Sequence, residues 1–343
     1  MLPHIRNLLS ASSLLGAALA FTVPAFAADL PEACESYKAA VTGGPMPPAD
    51  SETVVIRWLG NANYEFAYKG KVYLFDAYFD RTPRSHDLGF TAADVKTATA
   101  IFVSHAHFDH ISDIGAVARQ TGAPVVGAPL TAETAKKLGT PEQQLVVAKG
   151  GESLTFGDAT VEIALAEHST IQPGLTDIYA SLYKNDSPAF TEAETRQLEQ
   201  VRSRGTFDPR VIKEGTLAYA LTFPSGFKAV LIGSAGPITP GVKALAEKLG
   251  PVDVVIVAYQ VHAVADTQIE YTWPIIELFK PKLVLPAHHD SLPPTWIDLG
   301  LAPLFDKIRA EKPGTAFLAP LYRSPICVAA AGPDKGKVVS FKY

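Results

Sequence analysis

His105-Ala106-His107-Phe108-Asp109-His110 decides the reading of this chain. It sets four metal-type ligands within six residues. The apolar run Ala100 to Ser104 reads as a buried strand before it, and Ile111 to Gln120 has helical spacing after it. Two histidines at i and i+2 on an extended loop can point the same way and hold one metal. Asp109 and His110, one turn further on, can hold a second. Imidazole nitrogen with carboxylate oxygen suits zinc, and also manganese or iron. A plainer account makes Asp109 the N-cap of the helix and leaves the histidines on the surface. The chain has nine histidines in 343 residues. Three of them in one hexapeptide are hard to reach by chance, so metal binding is the expectation.

Outward from the motif, the pattern is two runs of strands, each passing into strand–helix alternation. Val54 to Leu59, Tyr64 to Tyr68 and Val72 to Phe75 are short β-branched or aromatic runs, punctuated by Gly60 and Lys69-Gly70-Lys71. They predict an antiparallel meander. Beyond the motif come strands at Val125 to Gly127, Leu145 to Ala148, Ser153 to Phe156 and Thr160 to Ala166, with a helix near Ala132 to Leu138. The second half repeats the style. It has strands at Leu217 to Phe223, Lys228 to Ile232, Val252 to Ala258 and Lys282 to Leu285. Helices are expected at Gly241 to Leu249, Ile269 to Phe279 and Thr295 to Ala310. Two sheets with helices outside are expected. Gln172 to Lys213 breaks the rhythm and reads as a helical insertion, with charged sequence such as Glu192-Ala193-Glu194.

The N-terminus reads as a leader. Arg6 gives a positive start, Leu8 to Phe26 carries no charge, and Ala25-Phe26-Ala27 has the small-x-small pattern of a cleavage site. The expected organisation is a signal peptide over 1–27, a Pro- and Gly-rich lead-in over 28–50 and one hydrolase domain over 51–343. Export to the periplasm or the medium follows, with no stable membrane span after cleavage. A formal net charge of −5 argues against a nucleic-acid partner, which would need a basic face. Cys34 and Cys327 lie near opposite ends of the mature chain. An oxidising compartment allows a disulfide between them, yet sequence does not bring them together, and two unpaired thiols remain the alternative.

Around the hexapeptide, Trp58-Leu59-Gly60, Leu74-Phe75-Asp76 and Val103-Ser104-His105 add to the pattern. Together they resemble the metallo-β-lactamase-fold hydrolases, in the lineage around L-ascorbate-6-phosphate lactonase and N-acyl-phosphatidylethanolamine phospholipase D. The resemblance runs from about Val54 to Asp290, apart from the insertion. It implies an α+β fold, the αββα four-layer sandwich, with metals at one edge of the two sheets. It also implies a third histidine for the first metal, matched by His168 in Glu167-His168-Ser169. A late histidine for the second metal is matched by His288 in Pro286-Ala287-His288-His289-Asp290, with His289 as its rival. Asp76 is implied as a supporting carboxylate. Asn61 stands where relatives often carry histidine, and as Gly60-Asn61 it also suits a turn.

One departure bears on mechanism. The family carries Gly-Asp after a strand, the Asp bridging both metals, and here Lys228 to Ile232 runs into Gly233-Ser234. A neutral Ser234 cannot balance charge as a carboxylate does. The second site is therefore expected to be weaker, or to recruit Asp290. His105, His107 and His168 with a water complete a catalytic zinc arrangement by themselves. The expected function is an exported metal-dependent hydrolase that attacks an ester, lactone or phosphodiester with a metal-activated water. Asp109 is the expected catalytic residue, orienting the nucleophile and carrying its proton, and the partner is a small-molecule substrate. The alternative is a non-catalytic metal- or ligand-binding protein on the same fold.

Overall fold

A computed structural model describes residues 30–170, 189–259, 265–290 and 300–342. The leader and the first part of the expected insertion lie outside them. The meander is present as expected: β1 (Thr53–Trp58), β2 (Tyr64–Tyr68) and β3 (Lys71–Phe75) pair antiparallel. Then β4 (Ala100–Phe102), β5 (Val125–Gly127) and β6 (Leu145–Val147) continue the sheet in parallel. With β14 (Ile326–Ala329) and β15 (Val338–Phe341), the order is β15-β14-β1-β2-β3-β4-β5-β6.

The second sheet takes β7 (Ser153–Phe156), β8 (Ala159–Ala166), β9 (Thr216–Thr222), β10 (Lys228–Ile232), β11 (Val254–Ala258), β12 (Leu283–Ala287) and β13 (Ala316–Phe317). These stand in the reverse of their chain order, antiparallel up to β10 and parallel from β10 onward.

Period-two alternation assigns each strand's side chains to two cores. In β1, Val54, Ile56 and Trp58 face the space between the sheets, and Val55 faces outward. In β11, Val254 and Ile256 face the same inner space while Val255 and Val257 face the opposite layer. Both faces are dry, so these strands read as continuous apolar runs. Helices α1 (Phe108–Ile111), α2 (Ile114–Thr121) and α3 (Pro129–Lys137) follow the first sheet's parallel strands. Ile111, Ile114, Val117, Leu130 and Ala135 from them fill its outer core. Two further helices, α4 (Glu192–Arg202) and α5 (Arg210–Lys213), lie between β8 and β9. Helices α6 (Pro240–Leu249), α7 (Ala265–Phe279) and α8 (Ala302–Glu311) cover the second sheet. The result is the four-layer αββα sandwich expected.

Local chemistry sets the ends. Thr239 accepts from Val242 N–H at the start of α6, with Pro240 in the first turn. Thr191 and Glu194 form a capping box on α4. One expected helix divides: Ile111 to Gln120 becomes α1 and α2, separated at Ser112-Asp113. The Asp113 carboxylate there accepts from Phe79 N–H at 2.7 Å and Asp80 N–H at 2.9 Å, anchoring the loop after β3.

The lead-in is part of the body. Residues from Pro31 onward form one compact unit. Arg57 and Glu65, cross-strand neighbours in β1 and β2, form a fully buried pair at 2.8 Å. Arg57 donates to Ala33 O and Ser36 O, and Glu65 accepts from Ala40 N–H and Val41 N–H. The lead-in thereby satisfies two buried charges that the sheet alone would leave exposed on its outer face. Beside them Cys34 and Cys327 form a disulfide, Cα atoms 5.9 Å apart. That resolves the open question about the cysteines.

Candidate metal centre

Six of the expected residues converge at one edge of the two sheets. His105, His107 and His168 form one group, and Asp109, His110 and His288 a second. Within each group the ligand atoms lie within 4.8 Å of one another. The motif loop is held from several directions. Ala77 N–H donates to His110 O, Thr206 N–H to Ala106 O and Leu217 N–H to Ser104 O. His168 arrives at the end of β8, its N–H donating to Ile212 O at 2.9 Å. Gly236, after β10, lies against that turn so closely that a Cβ would stand 2.2 Å from Glu167 O. His288 follows β12 and donates its N–H to Asn61 O at 2.8 Å.

In the first group, His105 Nε2 and His107 Nδ1 face each other at 3.1 Å. Ligand nitrogens around tetrahedral zinc stand about 3.3 Å apart, from Zn–N distances of about 2.05 Å. The His168 Nδ1–H donates to Ser169 O at 2.5 Å, which leaves Nε2 as the lone-pair nitrogen. Burial lowers His107 to about 4 and His168 to about 3. Burial, and then the neighbouring imidazoles, hold His105 well below its ordinary value. All three are neutral at pH 7, the form that binds a metal.

The second group is charged. His110 Nδ1 donates to Asp76 Oδ2 at 2.8 Å, and its Nε2 lies 3.3 Å from Asp109 Oδ2. That Nε2 is buried with no hydrogen-bond partner among the described residues, as a nitrogen awaiting a metal would be. Burial acts to lower His110, but Asp109 and Asp76 outweigh it and raise it to about 10. A divalent cation would displace that proton, so loading here releases acid. His288 Nε2 stands 3.0 Å from Asp109 Oδ2. The residues thus fit two metals: three neutral imidazoles, then two imidazoles with one carboxylate.

Supporting contacts explain several neighbours. Asp76 accepts from Ser104 N–H at 2.7 Å and Ser104 Oγ at 3.0 Å as well as from His110. Asn61 makes its turn with a left-handed φ of 50°, and it also reaches the centre. Its Nδ2 donates to Asp109 O at 2.7 Å. Asp76 and His288 also take positive φ, 55° and 60°. Such backbone is costly for residues other than glycine and concentrates at functional sites.

Three alternatives fall away. Asp109 is not a helix N-cap: α1 begins at Phe108, so Asp109 lies inside its first turn. Asp290 is not a spare carboxylate for the second metal. It pairs with Arg81 at 2.7 Å and accepts from Tyr322 Oη at 2.8 Å and from Asn61 N–H. His289 is not placed with the second group; its ring stacks on Trp58 with centroids 4.2 Å apart, and Trp58 stacks in turn on Tyr322. Ser234 is buried at the first group's edge, its hydroxyl accepting from Ser169 N–H at 3.1 Å. The sequence assigned no role to Ser104, which donates to Asp76, or to Arg81, which pairs with Asp290. Ser104 adjoins the motif, whereas nothing local marks Arg81.

A sandwich carrying two histidine-rich groups at one sheet edge defines the class as metal-binding proteins of the metallo-β-lactamase type. The β-lactamase superfamily domain matches residues 71–289, and the chain belongs to that family. A UPF0173 metal-dependent hydrolase of Chloroflexus aurantiacus is 27% identical over 243 residues, 70% of this chain and 84% of the relative. One of Myxococcus xanthus is 32% identical over 158 residues, 45% of this chain but only 52% of the relative. The solved structure of Igni18, a metallo hydrolase from Ignicoccus hospitalis, shares the fold. Its TM-score is 0.53 at 15% identity, covering 80% of this chain and 98% of that one.

Proposed function

We propose that this chain is an exported metal-dependent hydrolase acting on a small ester, lactone or phosphodiester. The observation that carries the reading is the convergence of six ligand side chains. In two of them, His110 and His168, a hydrogen bond at Nδ1 commits Nε2 to the centre. Curated relatives bearing the hydrolase name support it. Zinc is the metal proposed, since three imidazoles with an open fourth position are its catalytic arrangement. Such an ion, when bound, supplies a Lewis acid and lowers the pKa of water toward about 7.

The protein's own residues do the rest. His105, His107 and His168 present neutral nitrogens without competing protons. Asp109, held by Asn61 and lying between His110 and His288, orients the attacking water and carries its proton. Asp76 fixes the ring of His110. Ser234 adds no charge and has its hydroxyl engaged by Ser169, which favours a mechanism centred on the first group. The same serine is the ground for the second reading, a non-catalytic binding protein.

The leader pattern and the Cys34–Cys327 disulfide support export, because structural disulfides persist in oxidising compartments. Among the described residues no helix is long and apolar enough to cross a membrane. The lactonase-like flanks and the lack of basic character tilt the substrate away from nucleic acid and leave lactone, ester and phosphodiester all open. The test is metal analysis of the purified chain together with a panel of lactone, ester and phosphodiester substrates, with and without chelator. Chelator-sensitive turnover on one of these supports the proposal. Bound metal with no turnover on any of them, before or after metal addition, favours the binding protein.

A further inference from the structure

The segment between α4 and α5, residues 203–209, forms a wall beside the first histidine group. Thr206 N–H donates to Ala106 O at 2.9 Å, so the segment lies on the motif loop itself. Gly205 permits the approach: a Cβ there would stand 2.3 Å from Phe108 N and 2.5 Å from Phe108 Cα. No flexible side chain could give way, because the obstacle is backbone.

This docking sets Phe207 next to the centre. Its ring centroid lies 5.6 Å from that of His107 and 6.0 Å from that of Phe108. The Arg202 guanidinium lies 5.2 Å from the same ring. Phe207 is nevertheless 57% exposed, the highest value among the large exposed hydrophobic side chains of the described residues. An anchored aromatic ring left in water beside a ligand histidine gives the fold little and offers a ligand an apolar surface.

We propose that Phe207 is a specificity-determining residue, receiving an aryl or alkyl group of the substrate next to the bond presented at His107. This rests on the hydrolase reading and adds the substrate class: a compound with an apolar substituent close to its carbonyl or phosphoryl centre. The competing role for Phe207 is to hold the His107 ring for its metal, and the two roles separate by experiment.

Acetohydroxamate and phenylacetohydroxamate are metal-chelating probes that differ by one phenyl ring. Titrating both into the zinc-loaded full chain by calorimetry measures the value of that ring. The wild type should bind the phenyl probe about 3- to 10-fold more tightly, the range of one aromatic pair. Phe207→Ala should shrink the preference below about 2-fold and Phe207→Trp should retain it. Equal affinity of the wild type for both probes overturns the inference, as does an unchanged preference in Phe207→Ala. Loss of bound zinc in Phe207→Ala also overturns it, because the ring would then serve His107. The hydrolase reading stands or falls separately, on metal content and the substrate panel.

Discussion

Separating Asp290 from Arg81 should be among the most damaging single changes near the centre. The two side chains are 4% and 6% exposed and meet at 2.7 Å. At that separation and an effective dielectric near 20, their attraction is about 6 kcal/mol, offset by several kcal/mol of desolvation per ion. Arg81 Nε and Nη1 have no hydrogen-bond partner among the described residues, so Asp290 is the main neutraliser of that guanidinium. Asp290→Ala leaves a buried cation and should cost about 3–5 kcal/mol, read by urea unfolding of the metal-loaded protein. Arg81→Met should cost a similar amount. The double variant Arg81→Met with Asp290→Leu should be more stable than either single one, because neither charge is then stranded. The pH dependence has a defined sign. Burial alone would raise the Asp290 pKa, but Arg81, then His289, Tyr322 and Asn61, hold it below its ordinary value. Its contribution is therefore present above the unfolded value of about 3.9 and lost as pH falls through the lower folded value. Additivity of the two single effects in the double variant, within about 0.5 kcal/mol, would refute the reasoning.

Three other outcomes follow from the geometry. His168→Ala should remove about one metal per chain by elemental analysis and lower any turnover at least about 100-fold, with the fold intact by circular dichroism. The chelated protein should lose stability as pH falls from about 6.5 toward 4, since the unfolded chain takes up protons that buried His107 and His168 refuse. An acid titration followed by fluorescence checks it, and metal loading should deepen the loss as the ion is released. Cys34→Ser should cost roughly 2–5 kcal/mol in denaturant unfolding. Reductant should have the same effect on the wild type and none on the variant.

Much of the centre is local in the chain and could be read there. His105, His107, Asp109 and His110 sit on one loop between a strand and a helix, so spacing alone groups them. The strands could be read too, because dry faces on both sides demand continuous apolar runs such as Val254 to Ala258. Completing the two groups depended on His168 and His288, which resemblance suggested and position in the sequence could not place. Asp290 shows the limit. Beside two histidines it reads as a metal carboxylate, but Arg81, more than two hundred residues earlier, claims it.

Two sheets with outer helices and a histidine-rich metal motif were legible in the chain alone, because hydrophobic periodicity and ligand spacing are local properties that survive without coordinates. Tertiary structure decided the pairings that join distant segments. Among them are the Cys34–Cys327 bridge, the Arg57–Glu65 pair under the lead-in, and Asn61 tying Asp109 to His288. It also decided which aromatic ring stands exposed at the centre. Such contacts depend on which surfaces meet when the sheets pack, and a one-dimensional pattern carries no term for that.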